Sequence, residues 1–262
     1  VTAGVILGLV LIYGYVKLNF KPVANITQKS FKVAVIQGNI PQHLKWDYRA
    51  VNFISTRYRE ITLQAAKIPA DLIIWPEASV PGLWGKDIDV FSQVYALAAQ
   101  LKTNLLVGAV GYANKNYFNS ALGINAAGVL AGTYNKLHLV PFGEYIPLKH
   151  IFPFLETIAP IGDITAGTEY TLFKRPDTFG VLICFEDLFP ELSREFVKRG
   201  AKFLVNITND AWYKEGSAPY QHFAASVFRA VENQVYLARA ANTGISGFID
   251  PRGRILKVVS NN

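Results

Sequence analysis

The stretch GVLICFEDLFPE, residues 180–191, joins an apolar run to a polar turn and then to a helical pattern. The apolar run predicts a buried β-strand, and the residues after it predict a helix that begins near Leu188. Cys184, the only cysteine of the chain, lies at the junction. A strand followed directly by a helix is typical of an α/β fold. Such folds present reactive groups just beyond the ends of strands, which is where Cys184 lies. It leaves open whether Cys184 is a nucleophile or a small buried side chain.

Strand and helix patterns alternate along the rest of the chain. The predicted strands are 31–39, 71–77, 104–112, 117–125, 129–136, 179–187 and 201–210. The predicted helices are 49–67, 87–101, 188–200 and 219–239, and strands close residues 238–259 around a DPRG turn. This order mixes αβ units with antiparallel hairpins, so it favours a layered α/β sandwich over a purely parallel sheet.

Composition narrows the function classes. The chain has 262 residues, of which 51% are hydrophobic and 17% charged, so a large core is expected and disorder is not. The net charge of +7 comes from scattered Lys and Arg residues without an RNP-like, zinc-finger or helix-turn-helix pattern. A membrane surface is therefore a better partner than nucleic acid. One cysteine and four histidines without ligand spacing predict neither a metal site nor another cofactor.

The N-terminal residues are apolar, with no charge before Lys17. Residues 1–16 would span roughly 24 Å as a helix, against about 30 Å for a bilayer core. The chain begins at Val1 and contains no Met, so we interpret residues 1–20 as the C-terminal part of a transmembrane helix. Residues 21–30 are then a linker, and 31–262 a catalytic domain truncated at its C-terminal end. A signal-peptide apolar region is the alternative, but a basic start and a cleavage site are missing.

Residues 137–170 form a long, apolar and proline-rich segment without a clear period. Segments of this kind inside a compact domain are usually binding loops or covers over a site. Apolar side chains in a loop need a partner, either the core, a lipid or a membrane. A simple surface cover with one or two short helices is an equally good interpretation of the composition.

Three polar residues lie just beyond the apolar part of a predicted strand: Glu77, Lys136 and Cys184. Each has a plain structural interpretation, since a loop glutamate, a terminal lysine and a buried cysteine are all common. Together they form a complete set for acyl transfer: a carboxylate accepts the thiol proton, and an ammonium stabilises the oxyanion. Backbone N–H groups near the start of the following helix are expected to lower the pKa of the thiol. Glu186 is expected near the same rim, where it either caps locally or assists.

Several motifs resemble the nitrilase superfamily, whose catalytic residues are Glu, Lys and Cys. They are WPEAS around Glu77, YNKLHLVPFGEYIP around Lys136 and GVLICFED around Cys184, and the resemblance covers residues 31–259. More narrowly, KLHLVPFGEYIPL and NITNDAWY resemble the apolipoprotein N-acyltransferases, the membrane-embedded branch of that superfamily. The resemblance implies a four-layer αββα sandwich after a transmembrane helix.

The resemblance also implies residue roles. Glu77 would be the general base, Lys136 the oxyanion stabiliser and Cys184 the nucleophile. Supporting and substrate-binding roles would fall to Glu144, Glu186 and Trp212, the last on a loop near the substrate entrance. Phe185 stands where family members often have tyrosine, so any role for that hydroxyl is in doubt here.

The implied activity is transfer of a fatty acyl chain from phosphatidylethanolamine, through a Cys184 thioester, to the N-terminal amine of a diacylated apolipoprotein. The implied protein is a monomer in the bacterial inner membrane, with several spans and a periplasmic catalytic domain. Lys17 and Lys21 weakly favour the cytoplasmic side instead. The alternatives are a soluble amidase acting on a small C–N substrate and a non-enzymatic lipid-binding module.

Overall fold

The structure is a computed structural model that describes residues 2–19, 30–147, 164–213 and 216–260. The chain divides into two compact units, Val1–Ser30 and Phe31–Asn262. The first unit contains helix α1 (Thr2–Asn19), which has a mean hydropathy of 1.5 and no buried residue. Among the described residues, α1 alone is long and apolar enough to cross a membrane. Nearly all of the predicted linker, residues 21–29, lies outside the described residues.

The second unit contains strands, helices and short 3₁₀ turns. The strands are β1 (Val33–Val35), β2 (Leu72–Ile74), β3 (Leu83–Trp84), β4 (Asn104–Ala113), β5 (Asn116–Ile124), β6 (Leu130–Asn135), β7 (Phe179–Ile183), β8 (Phe203–Thr208), β9 (Tyr236–Ala241), β10 (Ile245–Ile249) and β11 (Ile255–Ser260). The helices are α2 (Val51–Ala65), α3 (Ile88–Leu101), α4 (Pro190–Lys198) and α5 (Ala218–Asn233). The 3₁₀ turns are Gln42–Leu44, Tyr48–Ala50, Cys184–Leu188 and Asp210–Tyr213.

The strands form two mixed sheets. In the first, the order is β1-β2-β4-β5-β6, with β3 paired to β4; β1, β2 and β4 are parallel, whereas β5 and β6 continue as antiparallel hairpins. In the second, the order is β11-β10-β9-β8-β7; β7, β8 and β9 are parallel, whereas β10 and β11 are antiparallel. Parallel neighbours need crossover connections, which helices provide between β1 and β2 and between β7, β8 and β9.

Alternation along the strands builds four layers. Leu72 and Ile74 of β2 belong to the core that contains the second sheet, whereas Ile73 packs with side chains of α2 and α3. The same alternation separates Leu106 from Leu105 on β4. On the far side, α4 contacts β7, and α5 contacts β9 and β10. The predicted αββα sandwich is therefore confirmed.

Several element boundaries differ from the sequence predictions, including three in the second sheet and its helices. The strand predicted to reach Asp187 ends at Ile183, and α4 begins at Pro190 rather than near Leu188. The helix predicted to extend from residue 219 to 239 ends at Asn233, because Gln234 adopts a left-handed conformation with φ +54°. Tyr236–Ala241 is a strand instead, paired between β8 and β10. Pairing with distant strands therefore overrides the helical spacing there.

Candidate active site

Cys184 is the first residue of the turn that follows β7. Its φ of +52° lies in the left-handed region, which is rare for residues other than glycine and is kept only where surrounding contacts hold it. The Cys184 carbonyl oxygen accepts a hydrogen bond from Asn206 Nδ2 at 3.2 Å, and His222 Nε2 lies 3.3 Å from the same oxygen. Contacts from β8 and α5 thus hold the backbone that aims the thiol.

Glu77, Glu144 and Lys136 are joined through one asparagine. The Asn119 amide, Nδ2, donates to Glu77 Oε1 at 2.7 Å and to Glu144 Oε1 at 2.8 Å. Glu144 Oε2 lies 2.8 Å from Lys136 Nζ and accepts from the Val140 N–H, also at 2.8 Å. Lys136 is 1% exposed, so its ammonium depends on these neighbours for compensation. We call Glu77, Asn119, Lys136 and Glu144 the carboxylate–lysine cluster.

The charges of Glu77 and Lys136 both act on the Cys184 thiol. Burial and the Glu77 carboxylate raise the pKa of Cys184 to about 12, although Lys136 and a hydrogen bond with Thr208 work in the other direction. Burial alone would lower the pKa of Lys136, but the negative charges at Cys184, Glu77 and Glu144 outweigh it and raise that pKa. The structure therefore brings Glu77, Lys136 and Cys184 into one electrostatically coupled group. The expectation that the turn lowers the pKa of the thiol is wrong, because burial dominates.

Lys45 is a further member of this neighbourhood that sequence analysis missed. It is 8% exposed, and its Nζ donates to the Glu77 carbonyl oxygen at 3.0 Å. Burial lowers the pKa of Lys45 to about 8, against the opposing influence of the Glu77 and Cys184 charges. Lys45 also lines an open groove of about 680 Å³ between residues 45–51 and 81–90. The groove therefore reaches a side chain that contacts the backbone of Glu77.

Glu186 does not lie on the rim of the site, contrary to the sequence expectation. It is fully buried, and its carboxylate accepts hydrogen bonds from the Tyr134 hydroxyl and from the N–H groups of Leu137, His138 and Ile183, at 2.7–3.0 Å. Burial raises the pKa of Glu186 to about 7, although these hydrogen bonds oppose the rise. Its carboxylate ties the segment after β6, which carries Lys136, to the turn that carries Cys184.

Trp212 lies in the turn Asp210–Tyr213 after β8 and is 69% exposed. Burial, followed by the influence of Cys184, raises the pKa of the neighbouring Tyr213 phenol to about 12. The turn that carries Trp212 therefore borders the site. The central part of the apolar 137–170 segment, residues 148–163, lies outside the described residues.

A second group of charged side chains lies on the side of Cys184 that carries its carbonyl oxygen. Arg239 Nη1 contacts Asp187 Oδ2 at 2.9 Å, and its Nη2 contacts Asp210 Oδ2 at 3.1 Å. His222 Nδ1 lies 2.8 Å from Asp210 Oδ1, and His222 Nε2 lies 3.0 Å from Asp187 Oδ1. All four side chains are at most 3% exposed. We call Asp187, Asp210, His222 and Arg239 the buried ion cluster.

No group of three or more His, Cys, Asp or Glu side chains in the described part of the chain is arranged to hold a metal ion. The polar residues that sequence analysis missed had weak signals. Asn119 is a polar residue inside an otherwise apolar strand pattern, which is the one hint that the sequence contains. Lys45 and His222 lie in segments without a sequence motif. Only the fold places Lys45 against the Glu77 carbonyl and His222 against the Cys184 carbonyl.

The chain was compared with known proteins. Residues 32–262 match the family model described as carbon-nitrogen hydrolase. The chain is 45% identical over 232 residues to the apolipoprotein N-acyltransferase of Geobacter metallireducens, covering 86% of this chain and 44% of that protein. It is 36% identical over 245 residues to the apolipoprotein N-acyltransferase of Synechocystis, covering 90% of this chain and 46% of that protein. The chain thus spans about half the length of the curated relatives that it matches.

The fold has solved counterparts. A Saccharomyces cerevisiae member of branch 10 of the nitrilase superfamily superposes with a TM-score of 0.65, at 21% sequence identity over 91% of this chain and 89% of the other. At this level of identity the likeness establishes the fold alone.

Proposed function

The chain belongs to the carbon-nitrogen hydrolase family, and from that premise we propose that it is the catalytic part of a membrane N-acyltransferase for lipoproteins. The acyl donor is a phospholipid such as phosphatidylethanolamine. The acceptor is the α-amine of a diacylglyceryl-cysteine at the N-terminus of an apolipoprotein. The names of the relatives, at up to 45% identity, support the reaction class, and the apolar helix α1 supports a membrane location.

One observation carries the catalytic proposal: Asn119 and Glu144 hold the Glu77 carboxylate and the Lys136 ammonium in one hydrogen-bonded group, and both charges act on the pKa of the Cys184 thiol. Among the described residues, Asn119 is the only hydrogen-bond donor to the Glu77 carboxylate, and it binds Oε1. Oε2 is left to accept the thiol proton. Since the thiol pKa is about 12, the thiol is neutral at rest and needs a base as it attacks.

In the first step, the Cys184 thiol passes its proton to Glu77 while the sulfur attacks the ester carbonyl carbon of the phospholipid. The Lys136 ammonium, held by Glu144, stabilises the tetrahedral oxyanion. The carbon–oxygen ester bond then breaks, and the leaving alkoxide takes the proton from Glu77. The products are a lysophospholipid and an acyl thioester on Cys184.

In the second step, the α-amine of the acceptor attacks the thioester carbonyl. Glu77 accepts a proton from the amine, and the oxyanion is again stabilised by Lys136. The carbon–sulfur bond breaks, the thiolate recovers the proton from Glu77, and the amide product leaves. Water must be kept from the thioester in the interval, and we assign this exclusion to the 137–170 segment and the exposed Trp212 turn.

The proposed setting is the bacterial inner membrane, with the catalytic domain on the periplasmic side and further spans outside this chain. The part of the relatives that this chain does not cover leaves room for such spans. The proposed catalytic unit is a monomer, because the coupled side chains all come from one chain.

The test is the intact mass of the full-length membrane protein after incubation with phosphatidylethanolamine and no acceptor. The expected result is a hydroxylamine-sensitive acyl adduct on Cys184 that persists in water and is discharged by a diacylated lipopeptide. Free fatty acid or a small-amide product without an adduct would make water the acceptor and the chain an amidase. Lipid binding without adduct or product would make it a lipid-binding module. Cys184→Ala is the matched control and must form no adduct.

A further inference from the structure

The two ring nitrogens of His222 of α5 contact carboxylate and carbonyl oxygens, which accept hydrogen bonds. Its Nδ1 lies 2.8 Å from Asp210 Oδ1. Its Nε2 lies between Asp187 Oδ1, at 3.0 Å, and the Cys184 carbonyl oxygen, at 3.3 Å. The direction of the Nε2–H bond favours a hydrogen bond to the Cys184 carbonyl oxygen. Asp187 Oδ1 therefore has the ion-pair contact with His222 but no hydrogen bond. The imidazole thus lies directly beside the backbone of Cys184, although the proposed reaction gives His222 no role.

These contacts require a proton on each ring nitrogen. A neutral imidazole has one N–H, so one nitrogen would direct its lone pair at an oxygen that also carries a lone pair. With both nitrogens protonated, the two positive charges of His222 and Arg239 balance the two negative charges of Asp187 and Asp210. With a neutral ring, the cluster would contain one uncompensated buried negative charge.

The buried ion cluster reaches the nucleophile through two donors to one oxygen. Asn206 donates to the Cys184 carbonyl through Nδ2, and its Oδ1 accepts from Arg239 Nη1 at 2.7 Å. His222 Nε2 supplies the second contact. That carbonyl belongs to the residue whose φ is +52°, a conformation that persists only where its surroundings enforce it.

We propose that His222 is a positioning residue for the nucleophile: as an imidazolium held by Asp187 and Asp210, it binds the Cys184 carbonyl and keeps the thiol directed at Glu77 and Lys136. The inference rests on the proposed function only in taking Cys184 as the nucleophile. His222 touches neither the thiol nor a substrate, so its influence passes through the backbone of Cys184.

The groups that face His222 favour its charged form near neutral pH. They are Asp187, Asp210, Arg239, Tyr213 and, through its carbonyl, Cys184. Burial and Arg239 lower the pKa of His222, but the contacts with Asp187 and Asp210 outweigh them and raise it from 6.5 to about 9. Because the pKa in the folded state is above the unfolded value, the stabilisation is complete below pH 6.5. It is lost as the pH rises through about 9.

The experiment measures the alkylation rate of Cys184 by iodoacetamide in the full-length protein, from pH 6.5 to beyond pH 9, by mass analysis of the Cys184 peptide. The rate normally rises about tenfold per pH unit below the pKa of a thiol. In the wild type, we expect this rise to flatten near pH 9, where the imidazolium is lost. His222→Ala should lower the rate about five- to tenfold at pH 6.5, the equivalent of one hydrogen bond.

Two variants separate positioning from general stability. His222→Gln retains an N–H donor without a titratable charge, so it should recover most of the rate and show no flattening near pH 9. Phe223→Leu alters the adjacent core residue on the same helix and should keep the flattening, even though it destabilises the domain. Equal losses in His222→Gln and Phe223→Leu, or flattening that survives in His222→Gln, would overturn the proposal.

A measurement on the unmutated chain covers the case in which His222→Ala fails to fold. The ¹⁵N chemical shifts of the His222 ring distinguish an imidazolium from either neutral tautomer, and the resonance is assigned by its loss in His222→Gln. We expect the imidazolium at pH 7.5, below the pKa of about 9, and a neutral ring there would contradict the proposal. Neither measurement uses lipid, so both remain decisive if the acyl-transfer test fails.

Discussion

Cys184 lies between the carboxylate–lysine cluster and the buried ion cluster. Each cluster contains both carboxylates and cations, but the two differ in how exposed their side chains are to solvent. The carboxylate–lysine cluster comes from loops and strands of the first sheet, and its neighbour Lys45 lines an open groove. The buried ion cluster comes from the second sheet and α5, and none of its side chains is more than 3% exposed. Glu144 of the first cluster is 13% exposed, so that cluster reaches the surface, whereas the enclosed charges act only through the backbone that they hold.

The comparison predicts opposite outcomes for mutations in the two clusters. Replacing Glu77 of the carboxylate–lysine cluster by Gln, which can keep the hydrogen bond from Asn119, should remove activity and cost less stability than the loss of a fully buried cation. A change in the buried ion cluster should remove stability first. Two substitutions test this difference directly, and two more test Glu186 and Trp212, which belong to neither cluster.

The largest effect is expected for Glu77→Gln. The rate of thioester formation should fall about 10²- to 10⁴-fold, since the base is lost while the Gln carbonyl still accepts from Asn119. The measurement is the adduct-formation rate by intact mass, together with a urea unfolding curve. Glu60→Gln, an exposed change on α2, is the control. A rate within about tenfold of the wild type would remove Glu77 from the role of base.

Arg239→Met comes next. It removes one of the two cations that Asp187 and Asp210 share, so the free energy of unfolding should fall by about 3–5 kcal/mol. Arg199→Met is the matched control, because it breaks an exposed pair with Glu195 whose expected contribution is below about 1 kcal/mol. Both are measured by urea unfolding monitored by tryptophan fluorescence. Equal losses in the two variants would erase the distinction between the clusters.

Glu186→Gln should cost about 1–3 kcal/mol, because the amide NH₂ replaces one acceptor oxygen opposite N–H and O–H donors. It also tests the pH dependence. Since burial raises the folded pKa of Glu186 from 4.5 to about 7, its contribution is complete below pH 4.5 and declines as the pH rises toward 7. The gap in unfolding free energy between wild type and variant should therefore narrow from pH 4.5 to pH 7. A constant gap would contradict the assignment.

The smallest effect on stability is expected for Trp212→Ala, within about 0.5 kcal/mol, because the side chain is 69% exposed. If Trp212 contacts the acyl donor, the KM for phospholipid should rise while the unfolding curve is unchanged. Phe53→Ala, an exposed aromatic on α2, is the control and should change neither. An unchanged KM would exclude Trp212 from donor binding.

Local pattern predicted much of the architecture. The apolar runs of β2, β4, β7 and β8 are three to ten residues long, and each appears as a mostly buried strand. Glu77, Lys136 and Cys184 were identified because each lies just beyond the apolar part of a predicted strand, in a motif that resembles one family. The end of α5 was not predicted, because the residues after Asn233 retain helical spacing. They form β9 instead, which pairs with β8 on one side and β10 on the other.

By itself, the sequence determined the fold class and most of the strand order along the chain, and it predicted candidate catalytic residues at the ends of strands. These features follow from hydrophobic periodicity and from the Gly and Pro residues that end helices and strands, which are properties of neighbouring residues in the sequence. Only the tertiary structure decided that Glu186 is buried away from the rim, and that Lys45 and Asn119 contact Glu77. It also decided that His222 reaches the Cys184 carbonyl across 38 residues. Such contacts depend on how two sheets pack, and a linear pattern carries no information about which distant side chains share one interior.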